Sequence, residues 1–161
     1  MNDARIIAAT APAQIEEARA LFREYAETTG HCECFHGFAG EVEGLPGQYT
    51  PPSGQLLLAA VGSQPAGCVA LRKLDDGICE MKRLYVRPEF RGRELGRQLA
   101  GAVIAAARSL GYRTMRLDTL STMTAARALY QSLGFQPVPR YNDNPVKGVV
   151  YLELSLDRIP I

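Results

Sequence analysis

Residues 85–99 read Tyr85-Val86-Arg87-Pro88-Glu89-Phe90-Arg91-Gly92-Arg93-Glu94-Leu95-Gly96-Arg97-Gln98-Leu99. The pattern is the end of a strand, a turn rich in arginine and glycine, and the first two turns of a helix. A helix start exposes unpaired backbone N–H groups and the positive end of a dipole, so a glycine-bearing turn that feeds one suits phosphate. Arg83, Arg87, Arg91, Arg93 and Arg97 crowd the region together with Lys82, against only Glu89 and Glu94. That is a local charge of +4 in a chain of net charge +1, which leaves −3 for the remainder. The positive charge is expected to concentrate where an anion can be held.

Working outward, the 161 residues suit one domain, spanning 1–161, with a proper core. Hydrophobic residues at 47% and charged residues at 22% match a soluble globular protein. The small net charge argues against a general nucleic-acid binder. No apolar run approaches the roughly 20 residues that cross a membrane, and MNDARIIAAT has no signal-peptide core. Cys32, Cys34, Cys68 and Cys79 lack a disulfide-framework spacing and fit reduced thiols in the cytoplasm.

Before the opening stretch, RIIAAT (5–10) reads as a strand, and Pro12 sits where a helix can begin. Ile15, Ala18, Leu21, Phe22 and Tyr25 give an amphipathic helix over about 13–28, ended by Gly30. Residues 31–55 are irregular, with a short helix near 38–42 and the loop LPGQYTPPSGQ. Three strands follow, over 56–61, 66–74 and 78–86, the last two joined at Asp75-Asp76-Gly77. After the opening stretch come a helix to Leu110, a strand over 112–118, a helix over 122–133, and strands over 135–138 and 149–156. Hairpins first and strand–helix–strand units later predict a mixed α+β fold on one central sheet.

The Arg-Gly turn is not a Walker A loop, because no Gly-Lys-Ser/Thr follows, and GxGxxG is absent. A second motif is ARALYQSLGF, Ala126–Phe135, where Met123, Ala126, Tyr130 and Leu133 share one helical face. A small residue at 126 beside Tyr130 leaves room for a slender ligand; otherwise Tyr130 is a core aromatic. In order and about thirty residues apart, the two motifs resemble the GCN5-related N-acetyltransferase (GNAT) superfamily. Leu84-Tyr85-Val86-Arg87-Pro88 followed by Arg91-Gly92-Arg93-Glu94-Leu95-Gly96 is similar to its cofactor loop. Ala126, Leu129, Tyr130, Gly134 and Phe135 are similar to its second motif. LPGxY, RLDT and NPVxG also look like a bacterial subgroup of that family.

The resemblance implies the GNAT acyl-CoA N-acyltransferase fold, a mostly antiparallel sheet splayed at a cofactor wedge and flanked by about four helices. It implies acetyl-CoA as cosubstrate and acetyl transfer to a primary amine by direct attack. The cofactor-binding residues it implies are Leu84, Tyr85, Val86, Arg91, Gly92, Arg93, Glu94, Leu95, Gly96, Arg97, Met123 and Ala126. Backbone N–H groups of Arg91 to Arg97 would take the pyrophosphate, and main-chain groups of Leu84 and Val86 the pantetheine arm. Tyr130 matches the family's general acid, and Glu80 fits the place of an acidic catalytic residue before the loop. Strict alternation would put Glu80 on one face with Ile78, Lys82 and Leu84, unless a β-bulge re-aims the later residues. Glu80 is either that catalytic group or an ion-pair partner of Lys82 or a nearby arginine. Glu94 replaces the family's first loop glycine; it either points outward or weakens CoA binding. Met123 stands where many members have asparagine.

HCECFH (31–36) is too cramped for four ligands on one tetrahedral ion, so no metal is expected. It suits loop packing or the acceptor pocket instead. That pocket is expected from the irregular 31–55 segment, the loop 140–147 and the final strand. Glu33, Glu41 and Glu43 are candidates to attract a cationic amine, and Tyr49, Tyr141 and Tyr151 to pack on it; ordinary surface roles are the alternative. No cysteine lies in either motif, which argues against a thiol nucleophile. The expected partner is a small-molecule or protein amine, with no nucleic acid and no membrane, and a homodimer is left open. The rivals are a non-catalytic acyl-CoA-binding module, suggested by Glu94 and Met123, and a nucleic-acid binder using the arginines.

Overall fold

In the computed structural model residues 4–29 and 37–157 are described. Their strands are β1 Ala4–Ala8, β2 Gln55–Val61, β3 Gln64–Asp75, β4 Ile78–Val86, β5 Thr114–Leu120, β6 Gln136–Pro137 and β7 Val149–Ser155. The helices are α1 Pro12–Thr29, α2 Phe38–Glu43, α3 Leu95–Ser109 and α4 Thr124–Ser132, with 3₁₀ turns at Gly47–Tyr49 and Pro88–Phe90. One seven-stranded sheet runs in the order β1-β2-β3-β4-β5-β7-β6. Every neighbouring pair is antiparallel except β4 and β5. Hairpin turns join β2 to β3 and β3 to β4, and a crossover through α3 makes β4 and β5 parallel.

Both faces of the sheet are covered, which is why β2 and β3 read as continuous apolar runs. Leu57, Val69, Leu71, Cys79, Met81, Met115 and Leu117 face α3 and α4, packing with Leu99, Val103, Ile104 and Tyr130. Leu56, Leu58, Cys68, Ala70 and Tyr85 face α1 and α2, packing with Ala18, Leu21, Phe22 and Val42. The stripe on α3 follows the expected spacing, with Leu95, Leu99 and Val103 buried.

Element bounds shift by one or two residues in several places, and two of the departures have local reasons. Strand β5 starts at Thr114 rather than Tyr112. Gly111, at φ +92, turns the end of α3, and the Tyr112 N–H donates back to the Ala107 carbonyl, which holds residues 111 and 112 in the helix cap. Strand β6 is only two residues long, since proline within it cannot donate to a ladder.

Candidate active site

Parallel pairing between β4 and β5 is confined to Ile78–Thr114, Cys79–Met115 and Glu80–Arg116. Beyond that point the strands part. The remainder of β4 therefore keeps β3 on one side and has no strand on the other. A β-bulge lies in the same place. Cys68 pairs with Tyr85 and Ala70 with Lys82, so β4 spends one extra residue there, and Arg83 takes φ +61. Lys82 and Arg83 consequently face α2 and the neighbouring loops together, while Leu84 and Val86 move to the α3 face. The alternation that grouped Leu84 with Glu80 and Lys82 fails here because of this inserted residue. The resulting wedge is lined by Lys82, Leu84, Asp118, Leu120, Met123 and Tyr130. It continues past Tyr25 and Val86 to Arg91 as a groove of about 230 Å³.

The groove ends at the loop before α3. Gly92 has φ +82, a conformation that favours glycine. Helix α3 has no side-chain cap at its start, and its first bond runs from the Gln98 N–H to the Glu94 carbonyl at 3.0 Å. The N–H groups of Leu95, Gly96 and Arg97 thus open the helix without an intrahelical acceptor. A Cβ built on Gly96 would meet only Leu129 Cδ2, at 3.6 Å, so the backbone is open to a ligand. Glu94 sits in the left-handed region at φ +65. Its side chain is 74% exposed to solvent, with Oε2 3.3 Å from Arg97 Nε.

The cations do not form the single patch expected from the sequence. Arg83 donates to both oxygens of Glu41 at 2.9 and 3.0 Å. Arg87 turns back onto Glu24 of α1 at 2.9 and 2.5 Å. Lys82 faces Asp118 and Glu80. The bulge and the strand pleat keep these three cations away from the loop before α3, although Lys82 and Arg83 still line the wedge. Arg91, Arg93 and Arg97 stay at the loop. Arg91 Nε donates to the Val86 carbonyl at 3.0 Å, Arg93 lies over the Phe90 ring, and Arg97 donates to Ser132 Oγ at 2.9 Å. The Val86 carbonyl, expected to be open to a ligand, is thus occupied by Arg91.

Tyr130 is 7% exposed on α4 and lines the wedge, its ring set edge-on to Phe135 at 5.7 Å. Among the described residues nothing hydrogen-bonds its hydroxyl, and burial pushes its pKa well above that of a free tyrosine. Met123 and Ala126 lie near it, Met123 at the mouth of α4 and in the wedge lining, Ala126 against the core. The side chain of Tyr85 goes to the opposite face, where its hydroxyl donates to Glu24.

Glu80 is fully buried. Its Oε1 accepts from Arg72 Nε at 2.7 Å, and its Oε2 accepts from the Tyr141 hydroxyl at 2.6 Å. Both oxygens are engaged, and the carboxylate is absent from the wedge lining. The acidic group that reaches the wedge is Asp118 on β5. Burial alone would raise its carboxyl, but the Lys82 charge and two amide hydrogen bonds, from Asn142 (2.8 Å) and Asn144 (3.4 Å), outweigh it and hold the pKa below the usual range. Sequence reading assigns Asp118 and Lys82 no role in the wedge, naming Lys82 only as a clustered cation and an ion-pair partner of Glu80, and Asp118 only within RLDT. Their signal is a charged residue alternating with core residues, Met115-Arg116-Leu117-Asp118 and Met81-Lys82, in strands buried on both faces.

Beside the wedge lies a second cavity of about 450 Å³, lined by Glu41, Gln48, Arg72, Lys82, Arg83 and Asn142, among others. The loop 140–147 contributes to it as expected. Glu41 is committed to Arg83, Glu43 to Arg23, Tyr141 to Glu80 and Tyr151 to Asn142, while Tyr49 is core. The HCECFH segment and Glu33 lie outside the described residues. Cys68 and Cys79 are buried free thiols, and burial pushes the Cys79 pKa up to about 12.

Comparison with known proteins places these features in a family. The model of the Acetyltransferase (GNAT) family matches residues 14–135. A Schizosaccharomyces pombe protein, named as an uncharacterised N-acetyltransferase, is 39% identical over 155 residues, 95% of each chain. The likeness therefore extends beyond bacteria. A crystallised candidate acyl-CoA N-acyltransferase of Klebsiella pneumoniae has a TM-score of 0.75 at 28% identity, covering 98% of this chain and 99% of that one. The PaiA N-acetyltransferase of Thermoplasma acidophilum, solved in complex with coenzyme A, shares the fold at TM-score 0.74 and 17% identity, over 94% of this chain and 98% of that one. With a family match that runs from α1 through α4, and a fold held in common with solved acyltransferases along nearly its whole length, this chain belongs to the acetyltransferase (GNAT) family.

Proposed function

We propose that the protein transfers the acetyl group of acetyl-CoA to a primary amine, in a single domain, by direct attack in a ternary complex. The observation that carries this reading is the parting of β4 from β5 after Glu80, beside Tyr130 and leading to an uncapped helix start. The residues present fit the cosubstrate. The N–H groups of Leu95 to Arg97 suit its pyrophosphate, with Gly92 and Gly96 leaving space and Arg91, Arg93 and Arg97 at the rim. The edge of β4 at Leu84 suits the pantetheine arm as an added strand, with the Val86 carbonyl held by Arg91. Bound there, the thioester supplies an activated acetyl group. In balance, a nitrogen–carbon bond forms, the carbon–sulfur bond breaks, the amine gives up a proton and the sulfur gains one.

Main-chain N–H groups near Leu84–Val86 would stabilise negative charge developing on the acyl oxygen. Tyr130, kept protonated by burial, has a proton to give to the departing sulfur. Glu80 suits a positioning role, because its two oxygens hold Arg72 and Tyr141 instead of facing the wedge. The exposed side chain of Glu94 and the wedge-lining Met123 leave the cradle and the slot usable, which favours an enzyme over a non-catalytic binding module. Among the described residues no helix is long and apolar enough to cross a membrane, and the buried free thiols suit the reducing cytoplasm.

The test is thiol release from acetyl-CoA with a panel of amino acids, polyamines and peptide amines. Tyr130→Phe should bind acetyl-CoA as the wild type does and lose about 10²-fold in turnover. Tight acetyl-CoA binding with no turnover on any amine would contradict the enzymatic reading.

A further inference from the structure

The site carries three ion pairs, Arg72–Glu80, Arg83–Glu41 and Lys82–Asp118. The first two are closed by hydrogen bonds of 2.7 to 3.0 Å. The third is loose. Lys82 Nζ stands 3.6 Å from Asp118 Oδ1 and 3.9 Å from Glu80 Oε2, and among the described residues it makes no hydrogen bond. Asp118 accepts both of its amide hydrogen bonds on Oδ2, which among the described residues leaves Oδ1 with only the lysine. Both side chains are largely buried, at 13% and 12% exposure. Lys82 lines the wedge and also the adjoining cavity, and Asp118 lines the wedge. A buried ammonium and a carboxylate oxygen therefore face the junction of the two cavities with hydrogen-bonding capacity unused.

We propose that this pair reads a free α-amino acid as the acetyl acceptor, Lys82 taking its carboxylate and Asp118 its amine. The proposal rests on the acetyl-transfer reading and names its substrate class. Two arguments select the class. The first is charge. Three paired cations and anions leave the buried part of the site balanced, with the exposed Asp143 at the rim of the adjoining cavity, so a ligand carrying one charge of each sign fits without leaving a buried charge unpaired. A polyamine would bring a second cation among Arg72, Lys82 and Arg83. The second is spacing. In an α-amino acid the amine nitrogen lies about 2.5 Å from the carboxyl carbon, and so about 3 Å from its oxygens. That separation matches the 3.6 Å between Lys82 and Asp118, so the four charges close a ring of alternating sign. A lysine side chain or a protein N-terminus has no carboxylate at that distance from its amine.

The experiment uses the whole chain with acetyl-CoA and measures thiol release for each of the twenty amino acids beside its α-amide, which keeps the amine and the side chain but loses the negative charge. The acid form of the best substrate should exceed its amide in kcat/KM by about 10- to 100-fold, the range expected for a hydrogen bond to a charged group. Lys82→Met should bring that ratio to near one, chiefly through KM, while retaining acetyl-CoA binding by calorimetry. Asp118→Asn should raise KM for the acid form. Equal rates for acid and amide in the wild type, which needs no variant to fold, would overturn the proposal. So would a ratio that survives Lys82→Met. Turnover only on peptides or polyamines would overturn it and leave acetyl transfer standing, whereas no acetyl-CoA binding at all would remove both.

Discussion

Replacing Glu94 with glycine separates the two things this residue does. The Glu94 backbone lies in the left-handed region at φ +65, where a residue with a Cβ costs about 1–2 kcal/mol. Glycine removes that cost but loses roughly 0.5–1 kcal/mol of chain entropy on folding. It also removes an exposed carboxylate that favours the helix dipole and pairs with Arg97, together worth about 0.3–0.5 kcal/mol at 74% exposure. The stability terms nearly cancel, so Glu94→Gly should melt within about 2 °C of wild type. Binding does not cancel. A carboxylate one helical turn from a bound diphosphate, roughly 7 Å away, repels each of its charges by about 0.6 kcal/mol in water. With two charges, and screening over about 8 Å at 0.15 M salt, the net is about 0.5 kcal/mol, or two- to threefold in Kd. At about 0.01 M salt the screening length is near 30 Å and the gain should reach roughly fivefold. Calorimetric titration of acetyl-CoA at the two salt concentrations, repeated with Glu94→Gln, is the assay. Glu94→Gln keeps the strained backbone and should show the same affinity gain. Unchanged affinity at low salt in both variants would refute the placement of the pyrophosphate beside residue 94.

Glu80→Gln should cost about 2–4 kcal/mol in denaturant unfolding, since it leaves Arg72 without its buried partner, and should leave the shape of the pH–rate profile unaltered. A displaced profile would return Glu80 to the role of proton acceptor. Asp118 and Glu24 both have depressed carboxyl pKa values in the folded protein. Against Asp118's burial stand the Lys82 charge and two amide donors, whereas for Glu24 the Arg87 hydrogen bonds dominate. Their stabilisation is complete above the unfolded values of about 4 and is lost as pH falls from there through the folded values. Asp118→Asn should therefore flatten the acid limb of a plot of stability against pH, and an unchanged limb would count against the Lys82–Asp118 pair.

Much of the scaffold was legible because it is local. Asp75-Asp76-Gly77 marks the β3–β4 hairpin, and Gly77 takes φ +71 there. Leu95, Leu99 and Val103 mark the buried stripe of α3. The cofactor loop was legible for the same reason, since its glycines, helix start and arginines are consecutive. The partners of those arginines were not. Arg83 and Glu41 are 42 residues apart and Arg87 and Glu24 are 63 apart, so only the folded sheet reveals that two of the counted cations serve α2 and α1. Sequence reading admits a β-bulge in this strand as one option, but its place at Arg83 and the side chains it turns depend on the pairing of β3 with β4. Asp118 stands within RLDT without a role in the sequence reading, because its place in the wedge comes from the parting of β4 and β5, a property of strand register.

Whether α3 receives the pyrophosphate is decided most directly by acetyl-CoA calorimetry on Gly96→Asp. The new Cβ would meet only Leu129 Cδ2 at 3.6 Å, and a carboxylate suits a helix start, so the melting temperature should hold. A negative group set among the N–H groups of Leu95 to Arg97 should cost several kcal/mol of binding, a loss of more than about 100-fold in affinity. Equal affinity for wild type and Gly96→Asp, with both folded, would place the cosubstrate elsewhere.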